Sequence, residues 1–171
     1  MFSIPKRWYF HPHGAERPDA IPPDGGRPGS DLEMFQKHHL DADEIDLAIM
    51  VSGDLLGVGG LPDADMAAAL ISANNDWLLE EWAIKDERLK LSLNVGPRDP
   101  ALAVKEIERL GGHPSVIQVQ IPEADVLLGN RHYYPIYEAA QELGLPIGFH
   151  GGGESAGVNP PMCSVGIPRI S

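Results

Sequence analysis

A histidine that closes an apolar run and is followed by three glycines is the residue of this sequence best placed to do chemistry: Leu145-Pro146-Ile147-Gly148-Phe149-His150-Gly151-Gly152-Gly153. The glycines let the backbone turn sharply at a strand tip and leave the imidazole facing a cleft, where it can ligate a metal or move a proton. A core histidine bonded to a neighbouring loop is the other reading of that position. His11-Pro12-His13 has the H-x-H spacing by which one strand grips an ion, because alternate side chains share a face. Its surroundings argue for a loop coincidence instead, since the pair runs into a proline-rich stretch and Pro12 would interrupt a central ladder. His38 and His39 are adjacent on a predicted helix and point in different directions, which makes them poorer ligands still.

Other chemistries lack their residues. No serine stands in Gly-x-Ser-x-Gly, and the one cysteine, Cys163, lies in an irregular tail, so neither a covalent nucleophile nor an internal disulfide is expected. Metal-activated water is the route left open. Gly57-Val58-Gly59-Gly60 and Gly151-Gly152-Gly153 lack the spacing of a phosphate cradle. With 25 acidic and 13 basic side chains the formal charge is -12, which repels nucleic acid and anionic membrane surfaces alike. The segment Met1 to Trp8 has no apolar export signal and no run approaches a membrane span, so a cytoplasmic protein acting on a small molecule is expected.

These residues need a scaffold, and 171 residues of 43% hydrophobic composition can bury one core. Residues 1–29 read as an irregular arm rich in proline and glycine, and 30–171 as the ordered domain. Ser30-Asp31-Leu32-Glu33 matches a capping box opening a short helix to about Leu40. Ile45 to Val51 is an apolar run expected as a strand covered on both faces. Asp63 or Asp65 can open a helix whose stripe of Met66, Leu70, Ala73, Trp77, Leu78 and Trp82 packs on the sheet. Leu89 to Val95 and Val116 to Ile121 are strands, Asp99-Pro100 caps the helix between them, which ends at Gly111-Gly112, and a further helix from His132 to Leu143 stops at Gly144. Leu145 to His150 is the last strand. Trp77, Trp82, Tyr133, Tyr134 and Tyr137 fall at helical spacings that suit packing better than a ligand cage.

Strands alternating with helices predict an α/β fold with a parallel sheet. An open sheet or a partial TIM-type (βα) barrel satisfies the pattern, and a complete barrel needs roughly 250 residues. Either way the reactive groups sit at the C-terminal strand ends: Ser52 and Asp54, Asn94 and Arg98, Gln120 and Glu123, His150 and Glu154. Asn94, Gln120 and Glu154 are the candidates for a substrate pocket.

Four stretches carry a family likeness: Asn74-Asn75-Asp76-Trp77-Leu78; Asp99-Pro100 with Ala103 and Glu106-Ile107; Pro135-Ile136-Tyr137-Glu138-Ala139-Ala140; and Leu143 through His150 to Glu154. Together they resemble the amidohydrolase-related family (amidohydrolase 2), in the branch close to aminocarboxymuconate-semialdehyde and resorcylate-type decarboxylases, over about Asp31 to Pro161. The resemblance implies a metal-dependent hydrolase or nonoxidative decarboxylase that uses zinc or, as the alternative, manganese, and that can form homo-oligomers. His150 matches the metal-ligating histidine after the fifth barrel strand. By that likeness the first strand would precede Met1 and the sixth to eighth would follow Ser171, so a partial barrel with little activity of its own is expected. The competing expectation is a noncatalytic open-sheet α/β binding module, which would need polar cover on its edge strands.

Overall fold

The computed structural model describes residues 21–27, 29–122, 124 and 126–151. Among them, four strands form one sheet in the order β1 (Ala48–Met50), β2 (Leu89–Asn94), β3 (Val116–Pro122), β4 (Ile147–His150), and every neighbouring pair is parallel. Each strand lies beside its predecessor in sequence. A doubly wound sheet reverses its order at a switch point, whereas a (βα) barrel adds strands sequentially, so this is a curled half-barrel. No helix among the described residues is long and apolar enough to cross a membrane.

The helices begin where short polar side chains cap them. Asp63 accepts from the Met66 amide at 3.0 Å to open α2 (Ala64–Leu78), and Asp99 accepts from Ala101 and Leu102 to open α3 (Pro100–Leu110), with Pro100 in the first turn. The expected capping box at Ser30 is displaced by one residue. Asp31 Oδ1 takes the Met34 amide at 2.9 Å and opens α1 (Leu32–Phe35), because its carboxylate also answers the positive helix end. Both α1 and α2 finish in a wider π turn, over Gln36–Leu40 and Leu79–Ala83. The fourth helix opens with a 3₁₀ turn at Arg131–Tyr133 and continues as α4 (Tyr134–Glu142).

Gly144, at φ +67°, ends α4 in the left-handed conformation, with Gly144 N–H donating to Gln141 and Leu145 N–H to Ala140. The same pair of bonds closes the first helix around Glu44, at φ +52°, where Ile45 N–H donates to Leu40. Arg88 ties that first helix to β2: it bonds Asp41 and Asp86, while Asp86 also accepts from Gln36. The Arg88 guanidinium holds the Asp86 carboxyl well below the usual carboxylate range.

The core lies between the sheet and its helices. Leu89, Leu91, Leu93, Val95, Val119 and Ile121 are fully buried against Trp82, Ile107, Ile136 and Ala140. Two expectations need correction here. β1 is covered on one face only: Ala48 and Met50 pack on the core, whereas Leu47, Ile49 and Val51 are exposed because the strand is an edge. The buried face of α2 is rotated from the expected stripe. It runs through Ala67, Ile71, Asn75 and Leu78 into Trp82, while Ala73 and Trp77 are exposed, because a polar Asn75 occupies a position the apolar pattern skips. Trp77 meets Trp82 edge-on.

Candidate functional site

Alternation along the strands sends one set of side chains to the helices and the other to the barrel interior. With Leu91, Leu93, Val119 and Ile121 outward, Ser92, Asn94, Gln118 and Gln120 point inward, and the register sets Asn94 beside Gln120 and Gln120 beside Gly148. A Cβ on Gly148 would stand 2.9 Å from Gln118 Nε2 and 3.1 Å from Gln120 Oε1, so glycine here makes room for the two amides. His150, two residues on, shares that inner face at the strand tip. Phe149 takes the outer face, edge-on to Tyr137.

His150 is half-buried, and its Nδ1 lies 2.7 Å from the Gly151 carbonyl oxygen. An Nδ1–H donated to that carbonyl fixes the tautomer and leaves the Nε2 lone pair for a ligand, the arrangement that metal-binding histidines commonly adopt. Among the described residues no group of three His, Cys, Asp or Glu could hold a metal ion. A catalytic divalent ion needs about three protein ligands, so the described residues supply one donor and do not fit a whole metal centre.

Below the strand tips the polar layer is connected only in part. Gln118 donates to Ser92 Oγ at 2.7 Å, and Ser92 in turn lies 3.4 Å from Gln120 Oε1. Asn94 and Gln120 are almost fully buried, yet both amide atoms of Asn94 and Nε2 of Gln120 have no partner among the described residues. The 3₁₀ segment Gly53–Gly60 packs against β3 and builds a small apolar cluster of Leu55 and Val58 with Ala67 and Ile71 of α2. Arg98 fastens that segment by donating from Nε to Gly59 O at 2.9 Å. Unpartnered amides in an enclosed space are costly unless something polar meets them, which makes this pair a hydrogen-bonding floor for a small ligand or ordered water.

The backbone beneath this floor is held by a residue that apolar periodicity passes over. β1 pairs only as far as Leu91, so the end of β2 lacks a strand on that side. Asn75 takes its place: its Oδ1 accepts from Asn94 N–H at 3.2 Å, and its Nδ2 donates to Asn94 O at 2.9 Å and to Glu106 at 2.7 Å. Glu106 then chelates Arg109 with both oxygens, which keeps the guanidinium charged well above its ordinary range, and Arg109 reaches Asp76 and Ser72. The loop after β3 is fastened in a similar way. Tyr133 and Tyr137 donate their hydroxyls to Val126 O and Leu128 O, and burial raises the Tyr137 hydroxyl pKa. His132 Nε2 lies 2.6 Å from Pro97 O and holds the loop after β2.

The structure thus brings Asn94, Gln120 and His150 to one inner face. Ser52 is spent on Asn74 at 3.2 Å, and Arg98 on its loop. His11, His13, Glu123, Glu154 and the side chain of Asp54 lie outside the described residues. Trp82, Tyr133 and Tyr137 pack against neighbours, as their spacing predicts, whereas Trp77 and Tyr134 are exposed.

The amidohydrolase family profile matches residues 10–168. The chain belongs to this family. Among solved structures, 5-carboxyvanillate decarboxylase from Novosphingobium aromaticivorans, complexed with manganese and 4-hydroxy-3-methoxy-5-nitrobenzoic acid, is 29% identical with a TM-score of 0.61, covering 70% of this chain and 34% of that one. 2,6-Dihydroxybenzoate decarboxylase from Rhizobium is 20% identical with a TM-score of 0.61, covering 70% and 39%. A 2,6-dihydroxybenzoate decarboxylase complexed with 2,6-dihydroxybenzoate is 19% identical with a TM-score of 0.61, covering 79% and 47%. The last two matches speak for the fold alone. The chain therefore spans about a third to a half of the length of these amidohydrolase-fold structures. No curated protein matches it. Membership in the family fits the sequential parallel half-barrel.

Proposed function

We propose that this chain is the part of a metal-dependent amidohydrolase-family enzyme that carries one metal-ligating histidine and part of the substrate floor. The reaction is nonoxidative decarboxylation or hydrolysis of a small carboxylated or cyclic compound. The observation that carries the reading is His150 on the inner face at the β4 tip, with Nδ1 engaged by Gly151 O and Nε2 left for a ligand. A divalent ion, zinc by the sequence expectation or manganese as in the 5-carboxyvanillate decarboxylase complex, supplies the Lewis acidity when bound. His150 contributes one donor to it, and the remaining ligands come from outside the described residues. Asn94 and Gln120 hydrogen-bond polar substituents of the substrate, and the 53–60 segment keeps water off them. The pocket role of Glu154, a soluble cytoplasmic setting and the division into a 1–29 arm and a 30–171 barrel domain belong to the same proposal.

Selective line broadening tests the ligand role without needing a complete site. Titrating manganese into the labelled chain should broaden the His150 imidazole resonances first, ahead of His38, His39 and His113, and His11→Ala/His13→Ala should leave the effect unchanged. Uniform broadening of all histidines, or selective broadening that persists in His150→Ala, would remove the basis for the proposal.

A further inference from the structure

Asn94 is gripped from the helical layer by a chain of bonded groups. Asn75 of α2 commits its whole amide to that chain: Oδ1 accepts from Asn94 N–H at 3.2 Å, and Nδ2 donates to Asn94 O at 2.9 Å and to Glu106 Oε1 at 2.7 Å. Only one way round of the amide makes all three bonds. A carboxylate only accepts, so Glu106 requires Nδ2 on its side. Turned over, Asn75 would set its oxygen against Glu106 Oε1 and Asn94 O, and its NH2 against Asn94 N–H. Glu106 is itself held by both oxygens. Arg109 donates from Nε to Oε2 at 2.9 Å and from Nη2 to Oε1 at 2.8 Å, and it ties α3 to α2 through Asp76 at 2.6 Å and Ser72 at 2.9 Å. Asn75 is fully buried and Glu106 nearly so, whereas the Arg109 side chain is 40% exposed. A carboxylate so placed needs its counter-charge. On the other flank of β2, Val95 N–H donates to Gln120 O at 3.0 Å, so the strand tip is held from both sides and the direction of the Asn94 side chain follows from its backbone.

We propose that Glu106 and Arg109 are positioning residues for the inner floor: their ion pair fixes the way round of the Asn75 amide, and Asn75 aims the Asn94 side chain into the barrel interior. The inference rests on the reading of Asn94 as part of a substrate floor. Discrimination among polar substituents is then set from α3, on the helical side of the sheet, by two residues that act through Asn75. The guanidinium supplies the charge that keeps Glu106 in place, Glu106 supplies the acceptor that orients Asn75, and Asn75 supplies the two bonds that hold the Asn94 backbone.

Hydrogen exchange and side-chain amide resonances of the full 171-residue chain test it. Arg109→Gln, at a partly exposed position, should speed exchange of Asn94 N–H and of the Asn75 Nδ2 protons by about tenfold or more relative to the backbone amides of Leu91 and Val119. It should also shift the Asn94 side-chain amide resonances, although Arg109 bonds only to Glu106, Asp76 and Ser72 among the groups that link it to β2. A merely structural contribution would speed all four sets of protons by one common factor. Arg109→Lys keeps the charge and loses the two-nitrogen grip on Glu106, so its changes should have the same pattern and be smaller, and it carries the test where Arg109→Gln fails to fold. A common factor at every amide, or Asn94 side-chain resonances that stay where they are in the parent, overturns the proposal. Manganese broadening at His150 is read separately, so failure of the functional reading and failure of this one are told apart.

Discussion

The two faces of the same two strands, β2 and β3, behave as different materials. Outward, Leu91, Leu93, Val119 and Ile121 are fully buried with nothing polar among them. Inward, one residue along in each case, Ser92, Asn94, Gln118 and Gln120 form a polar layer in which three buried amide atoms have no partner among the described residues. Among the described residues, helices close the outer layer, whereas the inner layer keeps amide atoms that no described residue meets. Stability is therefore expected to reside in the outward side chains and binding in the inward ones.

Exchanging one residue from each layer is the strongest way to break that division. Leu91→Ala should cost about 3 kcal/mol, from lost burial and the cavity left between β2 and the helices. Gln120→Leu should stay within about 1 kcal/mol in either direction, because its Nε2 has no bond to lose and its Oε1 contacts are long. Urea unfolding of the two variants measures both. Equal costs would mean that the inner layer is part of the stabilising core.

A narrower comparison sets two asparagines against each other. Asn75→Ala should cost about 2 kcal/mol, since it strips the Asn94 backbone of both its partners and takes one donor from buried Glu106. Asn94→Ala should cost less than about 1 kcal/mol, because the bonds there are made by its backbone and survive the change. Thermal unfolding of the pair settles the order. If Asn94→Ala were the costlier substitution, its side chain would be holding the sheet and would not be reserved for a ligand.

Much of this architecture is legible in the sequence. Asp99-Pro100 states a helix start and Gly144 a helix stop, because capping is a local matter of one side chain or one φ angle. The inner layer is legible too, in the strict alternation of Leu91-Ser92-Leu93-Asn94 and Gln118-Val119-Gln120-Ile121, a period that a strand hidden equally on both faces would not show. His150 is marked by its place before three glycines. What the sequence hides is whatever depends on a distant partner. Asn75 reads as a polar interruption of α2 until β2 is seen ending beyond the reach of β1. The exposure of Ile49 likewise depends on which strands are present, which no local pattern reports.

The smallest effect concerns the two turns that deliver the chain to the edge strands. Gly144 and Glu44 occupy equivalent places in the same helix-ending bond pattern, and the residues after them, Leu145 and Ile45, both pack on the outer core. Only one of the two is glycine, and a side chain held at φ +52° carries a strain that glycine does not. Glu44→Gly should relieve that strain, offset by the greater freedom glycine has in the unfolded chain, for a net gain of about 0.5 kcal/mol. Gly144→Ala should lose about 1 kcal/mol at φ +67°, although a Cβ there meets no atom within 4 Å. Chemical denaturation should show opposite signs at the two positions. Equal signs would mean that contacts of the Glu44 side chain, and not its backbone angle, decide how β1 is anchored to the outer layer.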